Sequence, residues 1–278
     1  MQEKQTRQLM QEHLERFRPE IMEELQVVNS SIDASKDIII VIHNQLPYLK
    51  VCIESVMANT KNFHLYLWDN ASDAETEEYL KDLMYKYPNQ VDVMRSGANL
   101  GFIEPNNEMV NWGDGDYIVL LNSDTKVFDG WDKAMIGYLQ QHADIAQVGY
   151  LGGVLSEEGK GIRADFGFDV DYICGFCTCL KRTTFEKFGL FDKRLKFAYC
   201  EDADLSLRLK AAGLKVYALH LMLVHHYENK TIIAVQSEGS IDVLSSFTHN
   251  HKFLREKWAE YLNSQRVDLK NVEDVQSS

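Results

Sequence analysis

Three groups of polar side chains could do chemistry together, and each stands where an apolar run gives way to a turn or to the start of a helix. They are Asp69-Asn70, Asn122-Ser123-Asp124, and Glu201-Asp202 with Asp204 close behind. Taken singly each has an ordinary explanation, because Asx residues cap helices and make turns, and acids in a first helical turn are favoured by the helix dipole. Their joint arrangement suggests more. Asp124, delivered after the apolar run Tyr117 to Leu121, could hold a hard cation such as Mg²⁺ or Mn²⁺ with oxygen ligands and bridge it to phosphates. One of the acids Glu201, Asp202 and Asp204 could act as a general base toward an attacking hydroxyl. The adjacent histidines His225 and His226 close the strand-like segment Val216 to Val224 and could complete a cation site. If the strand persists through them they point to opposite faces, so at most one should ligate.

The elements that must position these groups can be read from periodicity. Ile38 to Ile42 is a continuous apolar run that suits a buried parallel strand, and a helix should follow with Leu49, Ile53, Val56 and Met57 on one face. Next come a strand at Phe63 to Trp68, an acidic helix start at Glu75 to Glu78, a strand at Val91 to Met94, a helix near Asn106 to Asn111 and a strand at Tyr117 to Leu121. The acids after Cys200 open a helix whose apolar face is Leu205, Leu209 and Ala212 and which ends near Gly213. This alternation predicts an α/β fold, a mostly parallel sheet flanked by helices with ligands at the carboxyl ends of its strands. Upstream, Met10, Leu14 and Phe17, then Ile21, Met22, Leu25 and Val28, mark two short amphipathic helices separated by Pro19. They form an N-terminal appendage that packs on the main domain, or on a second subunit of a homo-oligomer. Their polar faces are mixed in charge, which does not suit a membrane surface.

Composition sets the outer limits. A chain of 278 residues with 45% hydrophobic content can bury one large domain. Its longest apolar runs are far short of the roughly 20 residues that span a bilayer, and the first residues carry no secretory pattern, so the expected address is cytoplasmic. Five sparse cysteines suit a reducing compartment. Cys174, Cys177 and Cys179 have one C-x₂-C spacing and no second pair, so small residues of a buried strand are a simpler account than zinc. A net charge of -13 disfavours a dedicated nucleic-acid binder. The basic residues Lys181, Arg182, Lys187, Lys193, Arg194 and Lys196 read as solvated surface or, if functional, as an attraction for an anionic acceptor.

Six strings, in this order, carry a resemblance: IIIVIHNQLPYLKVCIESV, LWDNAS, NLGFIEPNN, YIVLLNSDTKV followed by Gly130-Trp131, ICGFCTCLKRTTFEKFGLFD, and YCEDADLSLRLKAAGLKVY leading to VHH. Over roughly Ile38 to Thr231 the chain resembles the family 2 glycosyltransferases of GT-A fold, in the style of their rhamnosyltransferase-like members. The resemblance implies a domain at 37–235, preceded by the helical appendage at 1–36 and followed by a helical segment and tail at 236–278. It implies a metal-dependent, inverting transfer of a sugar from a nucleotide diphosphate to an acceptor hydroxyl, the acceptor being a glycan, a lipid-linked group, a protein or a nucleic acid. Carried across by position, Asp69 meets the N3-H of a pyrimidine, which implies a UDP or dTDP sugar. Asn44 and Asn99 fall on the nucleotide side, and Asn122 reaches ribose or phosphate. Asp124 holds Mn²⁺ or Mg²⁺, Asp202 takes the position of the base with Glu201 beside it, and His225 matches the metal-binding histidine better than His226. His43, Glu104-Pro105 and Leu190 depart from the family pattern on the donor side. A nucleotidyltransferase is the first alternative, but the first strand lacks a Gly-rich phosphate loop. A non-catalytic sugar-nucleotide-binding module is the second.

Overall fold

The computed structural model describes the backbone of residues 2–227 and 243–276, with side chains over 8–227 and 243–265. Its first strand, β1 (Lys36–Ile42), is the IIIVI run, and Ile38, Ile39, Ile40 and Ile42 are completely buried. A strand apolar on both faces must be covered on both faces. At about 1.5–3 kcal/mol per buried Ile side chain, this strand anchors the domain.

Two units of helix and parallel strand follow: α3 (Leu46–Asn59), β2 (Phe63–Asp69), α4 (Ala74–Lys86) and β3 (Val91–Arg95). They are preceded by α1 (Gln2–Arg16) and α2 (Arg18–Ser30). After β3 the chain forms α5 (Ile103–Met109), β4 (Tyr117–Leu121) and a short β5 (Thr125–Val127). The helix expected near Asn106 starts at Ile103 because Pro105 is accommodated in its first turn, where no backbone donor is needed. Then come α6 (Trp131–Gln141), β6 (Ile145–Gly149), the strands β7 (Gly152–Leu155), β8 (Gly161–Asp165) and β9 (Tyr172–Ile173), and β10 (Cys177–Lys181). The chain continues through α7 (Arg182–Phe188), α8 (Glu201–Ala211), β11 (Lys215–Ala218) and β12 (Val224–His226) to α9 (Val243–Gln276).

The central sheet has the order β11-β6-β10-β4-β1-β2-β3. Every pairing in it is parallel except those of β10, which runs antiparallel to both β4 and β6. Helices α3, α4 and α6 cover one face and α5, α8 and α9 the other. Strands β7, β8 and β9 make a separate antiparallel sheet, and β5 pairs with β12 in a two-stranded ribbon. The cysteines at 177 and 179 lie fully buried in β10, reduced and packed as core.

One expectation changes. Val216 to Val224 is not one strand: β11 ends at Ala218, and β12 begins at Val224 in the other sheet. The crossing between them is fixed by Glu24 of α2, which is fully buried and accepts from the backbone N–H groups of His220 and Leu221. The appendage therefore packs on its own domain, with α2 lying against α6. Gly137 permits that approach, since a Cβ there would meet Val27 at 2.5 Å. The boundary at 235 lies outside the described residues. Among the described residues no helix is long and apolar enough to cross a membrane.

Candidate active site

At the carboxyl end of β4 the backbone turns sharply through Asn122-Ser123-Asp124. Thr125 Oγ1 donates to Asn122 O at 2.8 Å, and Asn122 N donates to Phe176 O at 2.8 Å. The turn delivers Asp124, nearly buried, beside β12. His226 lies opposite Thr125 in the ribbon, and its Nε2 is 3.1 Å from Asp124 Oδ1 and 3.5 Å from the Asn122 amide. Its ring stacks on Phe176, with centroids 4.8 Å apart. His225 lies opposite Lys126, so alternation along the strand turns it outward, exposed and edge-on to Tyr227. In this register it is His226, and not His225, whose side chain meets Asp124, through a ribbon that the sequence did not reveal.

The second pair of acids sits at the start of α8. The loop before it holds Phe197, Tyr199 and Cys200 at φ of 57°, 80° and 68°, a left-handed backbone that non-glycine residues adopt at a cost of order 1–3 kcal/mol each. Gly101 makes room for it, because a Cβ there would meet Phe197 O at 2.5 Å. Of the three acids in the first turn, Asp204 faces away and accepts from Trp258 Nε1 at 2.8 Å. Asp202 faces in, with Oδ2 accepting from Gly175 N at 3.0 Å and Oδ1 from Ala203 N at 2.8 Å. Glu201 is buried, and its Oε2 has no hydrogen-bond partner among the described residues. Burial raises the pKa of both carboxyls. Glu201, further raised by the neighbouring Asp202 charge, is pushed up to about 8.

These groups share one cavity of about 600 Å³ at the carboxyl ends of the central strands. Asn99, Asn122, Asp124, Glu201, Asp202, His225 and His226 border it, together with aromatic residues that the sequence did not single out, such as Tyr150, Phe166, Phe176 and Tyr199. Neither Asn44 nor Asp69 is among its lining residues. Asn44 Oδ1 accepts from Asp73 N at 2.7 Å and ties the end of β1 to the start of α4. Asp69 is buried, accepts from Ser72 N at 2.8 Å and pairs with Arg95, which holds the 69–72 turn behind the cavity wall. Asn70 is nearer the site: its side chain donates to Gly101 O at 2.7 Å and accepts from Leu100 N at 3.1 Å, shaping the loop that carries Asn99. Much of the basic run at 181–196 is committed internally, Arg182 to Asp37 and Arg194 to Asp192.

The cation donor set is small. Among the described residues no three His, Cys, Asp or Glu groups gather closely enough to hold a metal alone. Asp124 and His226 supply a carboxylate and an imidazole, and fit a cation whose remaining ligands come from a bound phosphate or water.

Residues 37–185, a little over half of the chain, match the model of the family described as Glycosyl transferase family 2. The chain belongs to that family. Among curated relatives, the glycosyltransferase is 25% identical over 236 residues to "Rhamnosyltransferase WbbL" of Escherichia coli (strain K12), covering 71% of this chain and 86% of that protein. It is 28% identical over 225 residues to "Uncharacterized protein y4gI" of Sinorhizobium fredii (strain NBRC 101917 / NGR234), covering 68% of this chain and 24% of that protein. The chain thus spans about a quarter of the length of y4gI. The solved structure of GalNAc-T7 with UDP, GalNAc and Mn²⁺ superposes with a TM-score of 0.62 at 16% identity, covering 69% of this chain and 43% of that one. A mannosyltransferase from Pyrobaculum calidifontis, in complex with GDP-Man and Mn²⁺, gives a TM-score of 0.54 at 11% identity, covering 74% and 63%. S. aureus TarS 1-349 with UDP-GlcNAc gives 0.52 at 16%, covering 67% and 56%. At such identities the likeness is one of fold, and the fold is GT-A.

Proposed function

We propose that this glycosyltransferase moves a sugar from a nucleotide diphosphate, UDP or dTDP, to an acceptor hydroxyl with inversion, assisted by Mn²⁺ or Mg²⁺. One observation carries the reading: the cavity is lined by Asp124, Glu201 and Asp202 and by no Lys or Arg among the described residues. A departing diphosphate in such a cavity needs a cation, and Asp124 with His226 is where the chain would hold it. The cation would neutralise the charge that develops on the leaving oxygen.

The chain's own residues supply the rest. Asp202 accepts the acceptor hydroxyl proton as its oxygen bonds to the anomeric carbon, while the bond from that carbon to the diphosphate oxygen breaks. Backbone donation from Gly175 and Ala203 fixes the carboxylate and favours its charged form. Glu201, protonated near neutral pH, donates through its carboxyl to a sugar hydroxyl. The aromatic rings around the cavity exclude water from the reacting centre. Support for a UDP donor comes from two solved structures of similar fold that hold UDP or UDP-GlcNAc, and not from Asp69, which is buried against Arg95 off the cavity wall.

Thermal shift and calorimetry with UDP, dTDP, GDP and ADP, each with Mn²⁺ or with chelator, test the proposal. UDP and dTDP should raise the melting temperature most, the increment should need the metal, and at a hundredfold excess over Kd it corresponds to about 2.7 kcal/mol. Asp124→Ala and His226→Ala should remove the metal-dependent part, and His225→Ala should keep it. Metal-dependent binding that survives Asp124→Ala would exclude that residue, and a clear purine preference would exclude the pyrimidine donor.

A further inference from the structure

The loop that carries the acid pair into the cavity is strained, and it is held by a residue far along the chain. Asn250 of α9 is completely buried, and its side chain is spent entirely on this loop. The two N–H groups of its Nδ2 are shared among the carbonyls of Lys196 at 2.7 Å, Ala198 at 2.9 Å and Tyr199 at 3.0 Å, while its Oδ1 accepts from Lys196 N at 2.8 Å. The intervening carbonyl, Phe197 O, is taken from the other side by Phe102 N at 2.7 Å. Four consecutive carbonyls, 196 to 199, are thereby held between α9 and the start of α5. Phe197, Ala198 and Tyr199 line the cavity, and Glu201 and Asp202 come directly after them.

Only a carboxamide fits this position, since it offers two N–H donors and an acceptor in one plane; a carboxylate would face three carbonyls with no proton to give. A left-handed backbone at non-glycine residues persists only where its surroundings over-determine it. Without Asn250, buried carbonyls would lose their donors and the loop would relax toward ordinary φ, carrying the acids with it. The same helix fixes the back of the first turn of α8: Lys257 pairs with Asp204 at 2.6 Å, and Trp258 donates to it.

We infer that Asn250 is a positioning residue of this enzyme, a clamp that holds the 196–200 loop in its strained form so that Asp202 and Glu201 face the cavity. It lies outside residues 37–185, the part that matches the family model, so the C-terminal helix completes the site. The inference rests on the reading of Asp202 and Glu201 as the reacting pair.

The test compares full-length Asn250→Ala and the isosteric Asn250→Asp with Leu262→Ala, which loosens the same helix at a buried position more than three turns farther on. Hydrogen exchange of amides 196–204 decides the clamp without any assay of turnover. Both Asn250 variants should exchange there at least tenfold faster than wild type with β1 unchanged, and Leu262→Ala should not. Nucleoside diphosphate release by slow hydrolysis of UDP-glucose, UDP-N-acetylglucosamine and dTDP-rhamnose with Mn²⁺, water taking the sugar in place of the acceptor, then reads the consequence. In the Asn250 variants kcat should fall at least tenfold while the Kd for UDP stays within twofold, and Leu262→Ala should keep its kcat. Unchanged loop exchange, or an equal loss of kcat in Leu262→Ala, would overturn the positioning role. If wild type releases diphosphate from none of the three donors, the donor assignment fails, and the exchange measurement still decides the clamp.

Discussion

Neighbouring carboxyl groups in one water-poor cavity resist ionising together, and burial raises the pKa of both Glu201 and Asp202. Asp202 has two backbone donors to favour its charge, whereas Glu201 has an oxygen with none, and burial pushes it from the ordinary 4.5 up to about 8. A raised folded pKa means that the stability this group contributes is full at pH below 4.5 and is lost as pH climbs through about 8. Glu201→Gln, which mimics the protonated form, should melt higher than wild type at pH 8 to 9, with the gap closing toward pH 4. It should also keep turnover on the alkaline side, where wild type fades. Asp202→Asn should cut transfer by about 10²- to 10⁴-fold at every pH with donor binding intact. An Asp202→Asn enzyme as fast as wild type beside an inactive Glu201→Gln would exchange the two roles. Sequence alone could mark these acids, since three carboxylates at a helix start are conspicuous. It could not say which of His225 and His226 faces Asp124, because that depends on pairing with β5 about a hundred residues earlier.

The alternation of apolar strands and amphipathic helices was legible through β4, where each run is local and where β1 and β4 are buried on both faces. Legibility fails where an element is defined by a distant partner. The run from Val216 to Val224 reads as one strand, yet it breaks where Glu24 of the N-terminal appendage caps the backbone of residues 220 and 221. The role of α9 is equally invisible, since Asn250 means nothing until the loop it holds is in view. Glu24 accepts four hydrogen bonds, from His220 N, His220 Nδ1, Leu221 N and Tyr217 Oη. Removing it would leave two buried backbone N–H groups unsatisfied, at about 1–3 kcal/mol each. Glu24→Ala should therefore lower the urea midpoint of the whole protein by the equivalent of roughly 2–5 kcal/mol. Limited proteolysis should cut the variant first near residues 17–35, as the appendage lifts from α6. A loss below 1 kcal/mol would show that the appendage is only loosely attached.

At the scale of the molecule, a net charge of -13 and a cavity bordered, among the described residues, by three acids and no Lys or Arg set the terms on which an anionic donor would enter. A nucleoside diphosphate brings further negative charge, and the two fields repel over a Debye length of roughly 10 Å at 0.1 M salt. On the proposed reading a divalent cation held by Asp124 and His226 would reverse the local sign, and the nucleotide would then bind to the cation as much as to the protein. The salt dependence should therefore change sign with metal. In chelator, raising monovalent salt from about 0.02 to 0.2 M screens repulsion, so the weak affinity for UDP should rise. With saturating Mn²⁺ the same change screens attraction, and the affinity should fall. Calorimetry at four salt concentrations with and without Mn²⁺ measures both slopes, and Asp124→Ala in Mn²⁺ should behave like wild type in chelator. Parallel slopes in the two conditions would mean that the protein itself supplies the positive charge that receives the diphosphate, and the metal-assisted reading would have to be given up.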